Sequence, residues 1–144
     1  MLIDAEDAKR ELLSADAALA EIIRRRLEKV LATRDHQAQS NSGRVRRVLL
    51  ERMGHRNLTA SGVAQLLGIS RRTLTRRLTD DGTSFRELLD EVRAELAQAL
   101  LQDPTLSIAD IAYFLQYSEP AAFHRSFRRW TGKTPQNFRS SGLH

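Results

Sequence analysis

The chain has 144 residues, enough for one or two small domains, and its 41% hydrophobic content is sufficient for compact cores. A formal charge of +5 and a pI near 10.4 favour a polyanionic partner. There is no cysteine for a disulfide framework or thiolate metal site, no apolar run near the ~20 residues of a membrane helix, and residues 1–7 lack the basic and apolar regions of a signal peptide.

Proline is scarce and strand-like alternation is absent, which predicts an all-α chain: about seven helices behind an N-terminal helical segment. Residues 4–13 read as a weak first helix. Asp16 caps a stronger one, on which Leu19, Ile22, Ile23, Leu27, Val30 and Leu31 share one face. Residues 35–43 have almost no apolar content and read as a linker, separating a segment at 1–34 from a domain at 44–144. Charge divides at the same place. Residues 44–144 carry 16 Lys+Arg against 10 Asp+Glu, whereas residues 1–43 carry 7 against 8.

Beyond the linker, Val45, Val48, Leu49 and Met53 predict a helix that stops near Gly54. Thr59 opens the next, which ends at Gly68, where a tight turn calls for a positive φ. Ser70 caps a third helix. Ser84 and Glu87 have capping-box spacing ahead of a long helix through Leu88, Leu89, Val92, Leu96, Leu100 and Leu101, which Asp103 and Pro104 end. Ser107 and Asp110 form a weaker capping box for a fifth helix. Ser118 or Glu119 begins a sixth with Pro120 in its first turn, and Thr134 and Pro135 start a short seventh.

Part of this pattern is written twice. Leu58, Val63, Ala64, Leu67 and Ser70 recur as Leu106, Ile111, Ala112, Leu115 and Ser118 at a constant offset of 48. Leu74, Leu78 and Gly82 then match Phe123, Phe127 and Gly132. A helix, tight turn and second helix repeated in tandem predicts two helix-turn-helix units, at about 45–82 and 106–139, joined by a linker helix at about 84–102. Such a pair implies a grip on two successive stretches of a DNA major groove.

In the third helix Leu74 and Leu78 lie one turn apart and face the core, which leaves Arg71, Arg72, Thr75 and Arg76 as base-reading candidates. An arginine fork matches the O6/N7 edge of guanine, and threonine meets a thymine methyl or exchanges hydrogen bonds. The bland alternative is a solvated charged face. A second arginine-bearing helix behind a second tight turn weighs against it. There, Phe123, Phe127 and Trp130 make the inward stripe. Pro120 and Ala121 suit thymine methyls, Arg125 suits guanine, and His124 reads either as a base contact or as a solvated surface residue. Phosphate contacts are expected at Arg77, Arg128, Arg129 and Lys133 and at the helix starts Thr59 and Ser107. A linker helix at 84–102 would span ~28 Å, against ~34 Å between successive major-groove faces.

Residues 107–139, in which Phe123, Arg125, Phe127, Arg128, Arg129, Trp130, Gly132 and Pro135 follow in order, closely resemble the C-terminal signature of the AraC/XylS family of bacterial transcription regulators. The resemblance extends over about 45–139. It implies a seven-helix domain with recognition helices at about 71–79 and 119–130, and by position the same base-reading set: Arg71, Arg72, Thr75, Arg76, Pro120, Ala121, His124 and Arg125. It also implies a promoter duplex as ligand, RNA polymerase as a protein partner, activation as the commoner role, and a bacterial cytoplasm beside the nucleoid. Two departures stand out. Gln116 and Tyr117 replace the family's usual Gly-Phe, which predicts a less relaxed second turn. Pro120, Ala121 and Ala122 replace a more polar helix start, so the first unit is expected to dominate sequence discrimination.

Most members of that family carry an effector or dimerisation domain ahead of this one, and 1–43 is too short for it. The chain then reads as the C-terminal part of a longer regulator, or as a short effector-free one whose 16–34 helix packs on the domain or pairs as a homodimer. Neither a nucleophile with its base nor a phosphate loop is present, and His36, His55, His124 and His144 share no ligand spacing. No enzymatic activity, cofactor, metal or small-molecule site is therefore expected in this chain, nor a membrane partner. The rival readings are a helical protein-interaction module and a nonspecific basic DNA-binding protein; arginines at equivalent places in two repeats favour the sequence-specific reader.

Overall fold

The computed structural model describes residues 40–54 and 58–142, with Glu21 and Arg25 as isolated helical positions ahead of them. The helix expected at 4–13, the rest of that at 16–34, and linker residues 35–39 lie outside the described residues. The described residues from 40 onward form seven α-helices and no strand: α1 (Asn41–Arg52), α2 (Ala60–Leu66), α3 (Arg71–Asp80), α4 (Phe85–Leu101), α5 (Ile108–Phe114), α6 (Pro120–Thr131) and α7 (Pro135–Gly142).

Local chemistry accounts for most of the boundaries. Thr59, Ser70, Ser84 and Ser107 each accept, through the side-chain oxygen, the backbone N–H three residues on, satisfying one of the donors that a helix start leaves free. Thr134 does the same for Asn137 at the start of α7. Glu119 caps α6 without a side-chain bond, and Pro120 at the first helical position has no N–H to satisfy. Helix α1 opens at Asn41, earlier than the apolar positions from Val45 predict. Ser40 Oγ accepts Gly43 N–H, and the Ser42 N–H donates at 2.8 Å to Asp81 Oδ2 at the far end of α3, so a cap and a tertiary bond draw the polar residues 41–43 into the helix. Helix α4 is two residues shorter than expected, because Ser84 and Gln102 are its caps; its 17 residues span about 25 Å.

Both units share one core. Val45, Leu49, Leu50 and Met53 of the first helix, Val63, Leu74 and Leu78 of the first unit, Val92, Leu96 and Leu100 of α4, and Ile111, Leu115, Phe123 and Phe127 of the second unit all belong to it. Each such side chain contributes about 1.5–3 kcal/mol on burial. Arginines pin the frame from outside that core. Arg46 pairs with Glu95 and Glu91, joining α1 to α4. Arg139 donates from Nε to Leu101 O (2.9 Å) and from Nη2 to Asp103 O (3.2 Å) and Leu106 O (2.6 Å), tying α7 to carbonyls at the end of α4 and in the following turn.

The repeat seen in the sequence is a repeat of backbone. Gly68 has φ +72° and Gln116 has φ +69° at the matching place. Across these turns Ile69 N–H bonds Ala64 O, and Tyr117 N–H bonds Ala112 O, both at 3.0 Å. Gly82 and Gly132, which follow the two second helices, both have φ +78°.

Candidate nucleic-acid interface

Helix α3 divides as its spacing predicts. Leu74 and Leu78 are each 1% exposed, while Arg71, Arg72, Thr75 and Arg76 are exposed on the opposite side. Neither Arg71, Arg72 nor Arg76 enters an ion pair among the described residues, so three guanidinium groups stand with their donors directed to solvent. Thr75 donates its hydroxyl hydrogen to Arg71 O at 3.0 Å, as Thr79 does to Thr75 O at 2.8 Å. Thr75 thus presents a methyl and an acceptor oxygen rather than a donor, which suits a thymine methyl or an amino group on a base edge. Arg77 is half-buried, at a crevice shared with Asn41, Arg44, Val45, Leu67 and Ile69.

Helix α6 follows the same division with heavier packing. Phe123 and Phe127 are fully buried, and Phe123 packs edge-on against Phe127 and His124. His124 is consequently half-buried, its ring held against Phe123 at 6.2 Å between centroids. Trp130 is half-buried and stacks at a tilt on Tyr117. Outward lie Ala121, Arg125, Arg128 and Arg129, with Pro120 half-buried at the helix start and Lys133 exposed just past its end. Arg125 differs from the arginines of α3, since its Nη2 lies 3.7 Å from Glu119 Oε1 in an exposed ion pair. Reaching a guanine would break that pair, at a cost of no more than about 1 kcal/mol.

Thr59 and Ser107 occupy helix starts, as expected of phosphate-facing positions. Their oxygens already accept Gly62 N–H (3.0 Å) and Asp110 N–H (3.0 Å). Each hydroxyl therefore has its own hydrogen left to donate, beside the first-turn N–H groups.

The turn of the second unit is held from two sides, and its sequence hides this. Arg93 on α4 donates from Nε to Leu115 O at 2.9 Å and lays its guanidinium 4.6 Å from the Tyr117 ring centroid, a cation–π contact. From the first unit, Leu58 N–H donates to Gln116 Oε1 at 3.2 Å. The departure at Gln116 thus keeps the glycine-type backbone, a conformation costing a non-glycine residue about 1–2 kcal/mol, and adds a side-chain bond between the units. Nearby, the Phe114 ring covers Gly54: a Cβ at that position would stand 2.4 Å from Phe114 Cε2. Burial pushes the Tyr117 phenol above its ordinary pKa, with the Ser126 side chain and the Arg93 guanidinium acting in the opposite direction.

Arg46, Arg93 and Arg139 are thus structural, although in the sequence they count toward the basic charge of the domain. A signal existed for two of them. Arg46 and Arg93 sit next to Val45 and Val92 and three or four positions from Leu49, Leu50, Leu96 and Ala97, on stripes that are otherwise apolar.

Three comparisons bear on the whole. A family model described as a helix-turn-helix domain matches residues 63–141. The ornithine utilization regulator of Pseudomonas aeruginosa is 35% identical over 136 residues, covering 94% of this chain and 40% of its own length. The regulator VqsM of the same species is 42% identical over 78 residues, 54% of this chain and 24% of that protein. This chain therefore spans well under half the length of these curated relatives. Among solved structures, a DNA-binding transcriptional dual regulator from Escherichia coli K-12 superposes with a TM-score of 0.68 at 27% identity, covering 72% of this chain and 92% of that one. CdpR from Pseudomonas aeruginosa superposes with a TM-score of 0.64 at 39% identity, covering 71% and 32%. With two matching turns, two outward cationic helices and these relatives, the chain belongs to the AraC-type helix-turn-helix family of DNA-binding transcription regulators.

Proposed function

We propose that this chain reads a promoter duplex with α3 and α6 together, each helix laid in one of two successive major-groove segments. The observation that carries the reading is the equivalence of the two units. The same turn backbone recurs at Gly68 and Gln116, and each turn leads to a helix with a buried apolar stripe and arginines outside. Arg71, Arg72, Thr75 and Arg76 read bases from the first unit, and Pro120, Ala121, His124 and Arg125 from the second. Thr59, Arg77, Ser107, Arg128, Arg129 and Lys133 hold phosphates and set register. Three guanidinium groups on α3 with no ion pair among the described residues, against the Glu119-paired Arg125 and an apolar start on α6, make the first unit the main source of sequence discrimination.

Helix α4 spans about 25 Å, against a groove repeat of about 34 Å. A reader separation short of a full turn is accommodated by bending the duplex, which costs about 1–6 kcal/mol for a smooth bend of 40–90°. The wider assignments follow the family: activation of transcription through contact with RNA polymerase, in the cytoplasm beside the nucleoid. No helix among the described residues is long and apolar enough to cross a membrane. In this reading residues 44–144 are the DNA-binding domain, and a homodimer would pair through residues 16–34.

Selection of bound sites from a random duplex library at near-physiological salt tests this. Two short boxes about ten base pairs apart, the first unit's box richer in information, are expected. A single box would reduce the second unit to a phosphate clamp. Binding with no enriched sequence, lost on modest addition of salt, would leave a nonspecific basic protein, and no binding at all would favour a protein-interaction module.

A further inference from the structure

We propose that Gln116 is a positioning residue for DNA spacing: its side chain ties the second unit's turn to the first unit, fixing the distance and rotation between α3 and α6 and so which box separation the chain accepts. This rests on the two-reader function proposed above.

Gln116 and Gly68 occupy the same place in the two repeats and share nearly the same positive φ, yet only one is a glycine. A Cβ at Gly68 would meet nothing within 4 Å, so open space is available there and glycine is used for its backbone alone. At 116 a side chain is kept in spite of the strained backbone, and its Oε1 accepts the Leu58 N–H. A non-glycine residue held in this conformation points to a use for its side chain. Leu58 immediately precedes Thr59, the N-cap of α2, and α2 leads through the Gly68 turn into α3. Gln116 in turn sits four residues ahead of the first residue of α6. The bond therefore joins the two recognition helices by a path much shorter than the route through α4.

Other contacts make that path stiff. Arg93 holds the turn from α4 through Leu115 O and the Tyr117 ring. Phe114, two residues before Gln116, lies on Gly54 at the end of the first unit's opening helix. The Phe114 contact and the Gln116 bond together oppose a change in separation and every relative rotation of the units except one about the line joining the two contacts. One base pair of added spacing moves a box by about 3.4 Å along the axis and about 35° around it. A two-point seam resists that displacement; a single flexible contact would not.

The experiment uses duplexes bearing the two selected boxes at the selected separation, or with one or two base pairs inserted or removed. Wild-type chain, Gln116→Gly and Gln116→Glu are compared. Glycine relaxes the backbone and removes the acceptor, whereas glutamate keeps an acceptor oxygen at the same reach. Wild type and Gln116→Glu should lose affinity steeply off the selected spacing. In Gln116→Gly that penalty should shrink by about threefold to tenfold, the factor one net hydrogen bond supplies, with affinity at the selected spacing and thermal stability not reduced by more. Amide exchange at Leu58, measured without DNA, should accelerate in Gln116→Gly alone. An unchanged spacing penalty in Gln116→Gly, alongside faster Leu58 exchange, would overturn the positioning role while leaving the two-reader function standing. Wild-type chain that binds no duplex would overturn the two-reader function itself, and the positioning role with it.

Discussion

Replacing Gly54 by alanine should open the seam between the two units, and its size follows from the geometry. The new Cβ would lie 2.4 Å from Phe114 Cε2 and 2.8 Å from Cδ2, closer than carbon atoms approach, on a backbone with φ +90°. The left-handed backbone costs an L residue about 1–2 kcal/mol. Overpacking against a ring that is 7% exposed adds about 1–3 kcal/mol. The sum, about 2–5 kcal/mol, is a large part of the ~5–15 kcal/mol that holds an ordinary domain folded. Gly68→Ala is the matched control: φ is +72° and nothing lies within 4 Å of its Cβ, so only the backbone cost of about 1–2 kcal/mol applies. Urea denaturation followed by the fluorescence of Trp130, the single tryptophan, measures both. Adding Phe114→Leu closes a cycle: with the ring removed, Gly54→Ala should recover about 1–3 kcal/mol of its cost. Strict additivity of the two changes, or a Gly54→Ala variant no less stable than Gly68→Ala, would refute the packing of Phe114 on Gly54.

Arg76→Ala should weaken binding by ~1–3 kcal/mol on the preferred sequence and relax the preference at one base pair, whereas Arg129→Ala should weaken all duplexes alike and flatten the salt dependence by about 0.9 in slope; a uniform loss for the first or a selective loss for the second would reverse their roles. Glu119→Gln should raise DNA affinity by freeing Arg125 and removing a negative charge, while shifting stability by less than about 1 kcal/mol because the pair is exposed; unchanged affinity in titrations with duplex would show that Arg125 does not reach the DNA. Tyr117 has its phenol pKa raised by burial, so folding favours the protonated form; the associated stability is complete below the ordinary value of 10.0 and is lost as pH climbs through the raised value. Denaturant titrations of wild type and Tyr117→Phe should therefore diverge once the pH passes the ordinary value of 10.0, with the wild type declining more steeply up to the raised value, and parallel curves would contradict the assignment.

The parts of this molecule governed by neighbours in sequence were legible, and those governed by distant ones were not. Thr59, Ser70, Ser84 and Ser107 announce helix starts because the bonds they make close within three residues. The stripes of α3 and α6 follow from helical periodicity, and residues whose side of the helix is fixed by Leu74, Leu78, Phe123 and Phe127 were placed by spacing alone. The unrelaxed turn at Gln116 was also foreseeable, as a departure from glycine. Its bond to Leu58 was not, since 58 residues separate the partners and nothing local marks the pairing. The same holds for Phe114 on Gly54 and for Arg139 on the carbonyls after α4. Helix α1 begins at Asn41 through a bond to Asp81, 39 residues away, which no reading of the polar stretch 35–43 supplies. Within the interface, helical spacing separated the exposed side chains from the core, but the Glu119 hold on Arg125 and the spent donor of Thr75 have no mark in the sequence.

Guanine-methylation interference on a selected duplex tests the central claim most directly, because N7 methylation blocks the major-groove edge that an arginine fork reads. Two clusters of interfering guanines should appear on one face of the duplex, about one helical turn apart. Arg76→Ala should erase hits in one cluster and Arg125→Ala in the other. A single cluster, or two that respond alike to either substitution, would contradict reading by two recognition helices.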